Sequence, residues 1–334
     1  MKTRKQVKQE LDELSSQYDV DMSQISSFTT CVHDLPSNEQ IKRDFPDLSD
    51  VTPLTLGPNG DIKSSKAFEP NEKTHYSNTD VAFPFPFKHP NSKHSQATEN
   101  YPNFFESEKP INNEFMFVAL NCAERNSEDN EPQEHDWQMF HDTKRIANTY
   151  KLYLEINQDR FKNCYITDAL KNTVESDSTK VVNQFNLGKS KSLLQFSDPE
   201  SLGKYYLENL PDFKNRTDAA AVTETNTLGI KNKQTYLLSL NLFIAECAMI
   251  QPKQLIVFGG KTSEILQSMK SDIETHQNEL NTDPQILKYV IQLIDNLTTF
   301  DHYSAFRSVK RLMDKTEQEL WPSLNDEKQA TFPN

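Results

Sequence analysis

The sequence predicts a three-layer α/β/α fold around a central, mostly parallel sheet of about four strands, with an irregular N-terminal extension. Three observations predict it. Four short segments share one layout, an apolar run followed by a polar or turn residue: FMFVALNCAERN (115–126), FKNCYITDALKN (161–172), QLIVFGGKTSEIL (254–266) and TTFDHYSAF (298–306). Stretches of helical character separate them, and strands alternating with helices build parallel α/β sheets. QLIVF is apolar throughout, as strands covered on both faces are.

Taken in order, residues 1–18 predict a helix, with Val7, Leu11 and Leu14 at helical spacing. Residues 20–112 differ in kind, being rich in Ser, Asn, Asp, Pro and Lys with apolar islands such as FTTCV and VAFPFPFKHP. The Phe–Pro alternation at 83–87 forbids a central strand, because each proline removes a ladder donor. Long loops draped over a core, in part disordered, are expected there. The chain thus divides into an N-terminal extension (1–112), an α/β domain (113–325) and a tail (326–334).

Within the domain, FMFVAL forms the first strand, ending at Asn121. After an acidic loop, a helix is expected from about Trp137 to Glu155, with Met139, Phe140, Ile146, Tyr150, Tyr153 and Leu154 in its apolar pattern. FKNCYIT is the second strand, and DALKN turns into a polar loop. A helix follows around PESLGKYYLENL, then one over about 233–250 that Pro252 stops. QLIVF is the third strand and SEILQSMKSDIETH the next helix. DPQILKYVIQLIDNL has Asp283 as N-cap and Pro284 at the first helical position. TTFDHYSAF closes the sheet, and a last helix over about 308–321 ends at Pro322.

In an open parallel sheet, ligands bind beyond the carboxyl ends of the strands. The layout therefore nominates Asn121, Asp168, Gly259, Gly260 and His302 as neighbours in space. Taken singly, each has an ordinary explanation. Asx residues often finish strands by bonding the next turn, and a lone histidine is commonly a satisfied polar residue. Together they would face one crevice.

Other chemistries fit less well. A phosphate-binding loop needs G-x-x-x-x-G-K-[ST], but Leu255 stands where GGKTS (259–263) would require the first glycine. The paired glycines still allow close backbone approach to a phosphate chain. His135, Asp136, His141 and Asp142 suggest a metal cluster only superficially, since positions 135 and 141 fall on different faces of a helix. The four cysteines, Cys31, Cys122, Cys164 and Cys247, contain no C-x-x-C pair, so neither zinc nor an iron–sulfur cluster is signalled. Buried free thiols in a reducing cytoplasm are the expectation. No cofactor and no metal are expected.

Hydrophobic residues make up 35% of the chain and the mean hydropathy is −0.75, both low for a wholly ordered globule. No apolar run approaches the roughly 20 residues that span a bilayer, and the charged N-terminus lacks the apolar stretch of a secretory signal. A cytoplasmic monomer without membrane attachment is expected. The net charge of −13 runs against nucleic-acid binding, although Lys261, Arg307, Lys310 and Arg311 fall close to the nominated crevice.

The motif order over about 115–320 resembles the uracil-DNA glycosylase superfamily. FVALNCAERN is similar to the first motif of its mismatch-specific branch, and YITDALKN to its second strand with an apolar–Lys continuation. ECAMIQPKQLIVFGGKTSEIL matches the family's helix, Pro-containing break, buried strand and Gly turn. FDHYSAF stands where the family carries His-Pro-Ser, with Tyr303 replacing the proline. The resemblance implies a hydrolase that cleaves the N-glycosidic bond of uracil or another modified or mismatched base in DNA, single- or double-stranded, for repair. It further implies that Asn121 orients the attacking water and His302 donates a hydrogen bond to the departing base. Asp168 would read the base edge, and Trp137 or Phe140 would stack on the flipped base. Gly259, Gly260, Lys261, Ser304 and Arg307 would contact DNA, with Phe306 as a wedge. Two departures bear on substrate choice. Cys122 and Ala123 replace the usual turn after Asn121, and Asp168 replaces an Asn, so an ionised carboxylate would accept but not donate. The alternatives are a non-catalytic protein of the same fold that binds nucleic acid or a protein partner, and an α/β domain acting on a free nucleoside or other small molecule.

Overall fold

The computed structural model describes residues 2–20, 22, 26–29, 55–56, 62–63, 108–121, 152, 155–156, 158–171, 173, 175, 177–188, 192–214, 216–305, 309–324 and 329–333. Helix α1 (Arg4–Tyr18) starts from a capping box: the Thr3 hydroxyl accepts from the Gln6 amide, and the Gln6 side chain accepts from the Thr3 amide. It ends at Asp19 in the left-handed conformation. Its apolar stripe seats Val7 and Leu11 in the core, with Leu14 packed beside them.

Strand β1 (Ser26–Phe28) was not expected inside the extension. Phe28, from the FTTCV island, is buried edge-on against Tyr165 at 5.7 Å. The Thr29 hydroxyl accepts from the Cys164 amide at 3.0 Å and donates to the Phe161 carbonyl. One aromatic and one hydroxyl thus draw a short piece of a polar region onto the sheet edge. Strands β2 (Thr55–Leu56) and β3 (Ile62–Lys63) form a separate antiparallel pair.

The main sheet adds β4 (Asn112–Asn121) and β5 (Cys164–Leu170). Three helices follow: α2 (Ser178–Phe185), α3 (Pro199–Asn209) and α4 (Ala219–Ile250). Then come β6 (Gln254–Phe258), α5 (Gly260–His276), α6 (Pro284–Asp295), β7 (Thr298–Phe300) and α7 (Val309–Lys315). A π-helical turn at Thr316–Leu320 extends α7.

The strand order is β1-β5-β4-β6-β7, parallel except for the β1 edge. Alternation along β4 divides the core. Met116, Val118 and Leu120 join the cluster with α1, α4, α5 and α6, whereas Phe115, Phe117 and Ala119 join a second cluster with Leu152, Ile156, Phe161, Leu320 and Leu324. The result is the expected three layers. The crossover from β4 to β5 runs one way, and those to β6 and β7 run the other. For right-handed connections the reversal puts their helices on opposite faces.

Several elements differ from expectation. Helix α4 starts at Ala219 behind the Asp218 cap, well before residue 233. Its polar first half is helical because it packs on α3, where Gly203 approaches Asn226 so closely that a Cβ would lie 2.8 Å from the Asn226 Cα. Gln251, left-handed at φ 55°, ends α4 one residue before Pro252. Helix α2 occupies what was expected to be polar loop, capped by Asp177 and holding Val181 and Phe185 in the core. Strand β5 runs on to Leu170, past the expected end at Thr167. Apart from 152 and 155, the helix expected over 137–155 lies outside the described residues.

Candidate functional site

In a sheet of this order, the chain turns back between β4 and β6, and such a switch point is where open α/β sheets form their ligand crevice. Asn121 is the last residue of β4, and Gly259 and Gly260 follow β6. These three therefore flank the switch point, as their places in the sequence suggested.

Asn121 has a defined local job. Its Nδ2 donates to the Thr173 carbonyl at 3.1 Å and to the Glu175 carbonyl at 3.0 Å. Both amide hydrogens thus tie the segment after β5 to the end of β4 and fix which way the side-chain oxygen points. Gly259 is held at φ 86°, a conformation that L side chains rarely adopt, and its amide donates to the Phe300 carbonyl at 2.7 Å. Gly260 opens α5 with nothing within 4 Å of an added Cβ.

Lys261 lies on the same rim. Its Nζ donates to Thr179 Oγ1 at 2.6 Å and Ser178 Oγ at 3.1 Å, joining the first turns of α5 and α2. A structural tie is its visible role.

His302 stands two residues beyond β7, beside the Gly259 turn; a Cβ on Gly259 would lie 3.5 Å from the His302 Cβ. Its ring stacks on Tyr303 at 4.5 Å, and Tyr303 meets Phe258 edge-on at 5.8 Å. Burial lowers the His302 pKa, which favours a neutral imidazole near pH 7. Ser304 lies in the turn that follows, Tyr303–Ala305. Trp137, Phe140, Phe306 and Arg307 lie outside the described residues, as do His135, Asp136, His141 and Asp142.

Asp168 does not end its strand. It sits two residues short of the end of β5, level with Ala119 of β4, and is 1% exposed. The alternation that sends Thr167 toward α4 sends Ile166 and Asp168 to the opposite face. Phe117, Ala119, Phe258 and Phe300 share that face. Asp168 thus lies deeper than a strand-end residue would, while Asn121 ends β4 and His302 follows β7.

Sequence reasoning missed the polar network on the other face. Lys171 Nζ bonds Glu246 Oε2 at 2.8 Å and Thr167 Oγ1 at 2.6 Å, and also reaches the Asp168 carbonyl. Glu246 Oε1 accepts from the Tyr165 and Thr167 hydroxyls, each at 2.8 Å. Both charged side chains are fully buried. The available signal was a lone glutamate in the apolar run FIAECAMI, since such residues are almost never buried unpaired. Burial pushes the Tyr165 hydroxyl and the Cys164 and Cys247 thiols upward, so all three stay protonated.

Among the described residues no group of three or more His, Cys, Asp or Glu side chains could hold a metal ion. None of the described helices is long and apolar enough to cross a membrane. Comparison with protein-family models, curated proteins and solved structures returns no match.

Proposed function

We propose that the chain is a hydrolase of the DNA glycosylase type, cleaving the N-glycosidic bond of uracil or another modified or mismatched base. The observation that carries this reading is the switch point between β4 and β6, with Asn121 at the end of β4 and His302 against the Gly259 turn. The two carbonyl bonds of Asn121 pre-orient its amide, so the side-chain oxygen can position a water over the sugar carbon without reorganising. A neutral His302 donates one N–H to the departing base as negative charge grows on it, help that contributes several kcal/mol at a preorganised site. The target nucleotide is extruded into the crevice, and the open Gly259–Gly260 turn contacts the backbone beside it.

The test is incubation of the full chain with uracil-containing single- and double-stranded oligonucleotides, followed by alkali. Alkali-labile breaks that disappear in both Asn121→Ala and His302→Ala are expected. Breaks that persist in both variants overturn the assigned roles. A second reading, a non-catalytic protein of this fold, is favoured by the net charge of −13. Its signature is oligonucleotide binding without breaks for any modified base.

A further inference from the structure

Among the described residues, the large apolar side chains that stand exposed, Val222, Ile230 and Leu237, all belong to α4. Two of them fall into a longer pattern. Ala220, Thr223, Thr227, Ile230, Gln234 and Leu237 are all exposed and follow one another at alternating steps of three and four residues. That is the spacing of a helix that pairs with another helix. At 1.5 Å per residue the seam is about 26 Å long. It also stands clear of the strands. α4 leads into the amino end of β6, and the Ser239 hydroxyl accepts from the Lys171 amide just past the end of β5. Residues 220–237 therefore run on beyond the carboxyl edge of the sheet.

The seam is small in its first half (Ala220, Thr223, Thr227) and large in its second (Ile230, Gln234, Leu237). A second copy of α4 laid antiparallel sets Ala220 against Leu237, Thr223 against Gln234 and Thr227 against Ile230, and the twofold repeats each pairing. Every layer then meets small with large, as close packing requires. A parallel pairing would set small on small and leave gaps. Burying the threonines orphans no donor. The Thr223 hydroxyl donates to the Ala219 carbonyl at 3.0 Å and the Thr227 hydroxyl to the Thr223 carbonyl at 2.9 Å. Thr223 Oγ1 can still accept from the Gln234 amide of the second copy.

Charge selects the same register. Glu224 and Lys231, both exposed, flank one side of the seam. The antiparallel arrangement brings Glu224 beside Lys231 of the second copy, offset by about 3 Å along the axis and within reach of two long side chains. The twofold makes this contact twice. Within its own chain Glu224 already holds Arg216 at 3.0 Å, which leaves a carboxylate oxygen for the second cation. We propose that α4 is a self-association surface and that two copies of the chain pair antiparallel through residues 220–237, a twofold dimer in place of the expected monomer. The seam is short and partly polar, so the dimer is a weak one that forms at micromolar concentrations. The proposal stands apart from the glycosylase reading and does not depend on it.

The experiment is sedimentation equilibrium of the full chain from about 1 µM to about 300 µM, a range that covers weak interfaces of this kind. A concentration-dependent monomer–dimer equilibrium is expected, and a monomer at every concentration overturns the proposal. Ile230→Asp and Leu237→Asp each set a charge against an apolar or small partner and should raise the dissociation constant at least about tenfold. Both positions are exposed, so the circular dichroism spectrum should stay that of wild type. A dimer that neither substitution weakens overturns the proposal, because it is held elsewhere. Charge reversal then tests the register. Glu224→Lys and Lys231→Glu should each weaken the dimer by bringing like charges together, and the double variant should recover wild-type affinity. A double variant no tighter than the single ones overturns the antiparallel arrangement.

Discussion

If Asp168 holds its proton in the folded protein, stability must depend on pH in a way that one substitution removes. The ordinary carboxyl value is 3.8 and the folded value about 7. Below pH 3.8 both states are protonated and the group contributes nothing. Between 3.8 and 7 the unfolded chain has released the proton while the folded one retains it, so the folded state binds more protons and stability falls with rising pH. At ~1.4 kcal/mol per pH unit, the full penalty above pH 7 is about 4 kcal/mol. Between pH 5 and pH 8 the part still to be lost covers two pH units, about 3 kcal/mol. Asp168→Asn has no such term. Its stability relative to wild type, from urea denaturation, should therefore rise by about 3 kcal/mol from pH 5 to pH 8. Glu155 and the other buried acids are present in both proteins and cancel in the difference. A gap that stays constant across that range would refute the reasoning, because Asp168 would then be ionised, or compensated, in the folded protein.

Two further substitutions probe what surrounds the site. Lys171→Met leaves the Glu246 carboxylate buried without its counter-charge and should cost about 3–5 kcal/mol, most of it recovered in the double variant with Glu246→Leu. A single-variant loss below about 1 kcal/mol in urea denaturation would show that the pair is relieved by water or movement. Gly203→Ala would add helix propensity worth about 1 kcal/mol, but its Cβ would meet Asn226 Oδ1 at 2.0 Å and the Asn226 backbone at 2.8 Å. The clash should win, with a net loss of about 1–3 kcal/mol; a rise in melting temperature would mean that α3 and α4 separate easily.

Periodicity made most of the core readable. The β4 and β6 segments are apolar runs bounded by Asn or Gly, and their carboxyl ends fall where the sequence suggests. The features that escaped depend on partners far away in the chain. The first half of α4 is polar and glycine-bearing, and only packing against α3 makes it helical. Helix α2 carried a legible signal, Asp177 as cap with Val181 and Phe185 four apart, hidden in a region dominated by polar residues. Strand β1 depends on one phenylalanine finding Tyr165 across more than a hundred residues. At the site, Asn121 and the Gly259 turn were legible because strand ends are. Asp168 looked like a strand end because a charged residue within a buried strand is the less common case. Its neighbour Lys171 meets Glu246 at a separation of 75 residues, which no local pattern reveals.

Strand β5 separates two kinds of buried charge. Toward α4, Glu246 meets Tyr165, Thr167 and Lys171, and every strong donor and acceptor in that network is engaged. On the other face Asp168 meets none. Packing alone would favour an apolar residue at 168, since removing an unpaired buried acid relieves its desolvation. An orphaned acid is not by itself a site: Glu155 is also buried without a partner, beside the Asp301–Lys315 pair and below Trp321, whose indole bonds its backbone carbonyl at 2.8 Å. What distinguishes Asp168 is its register, level with Ala119 and one step beneath the last residue of the central strand. Departures from local packing rules of this kind concentrate where proteins bind and react.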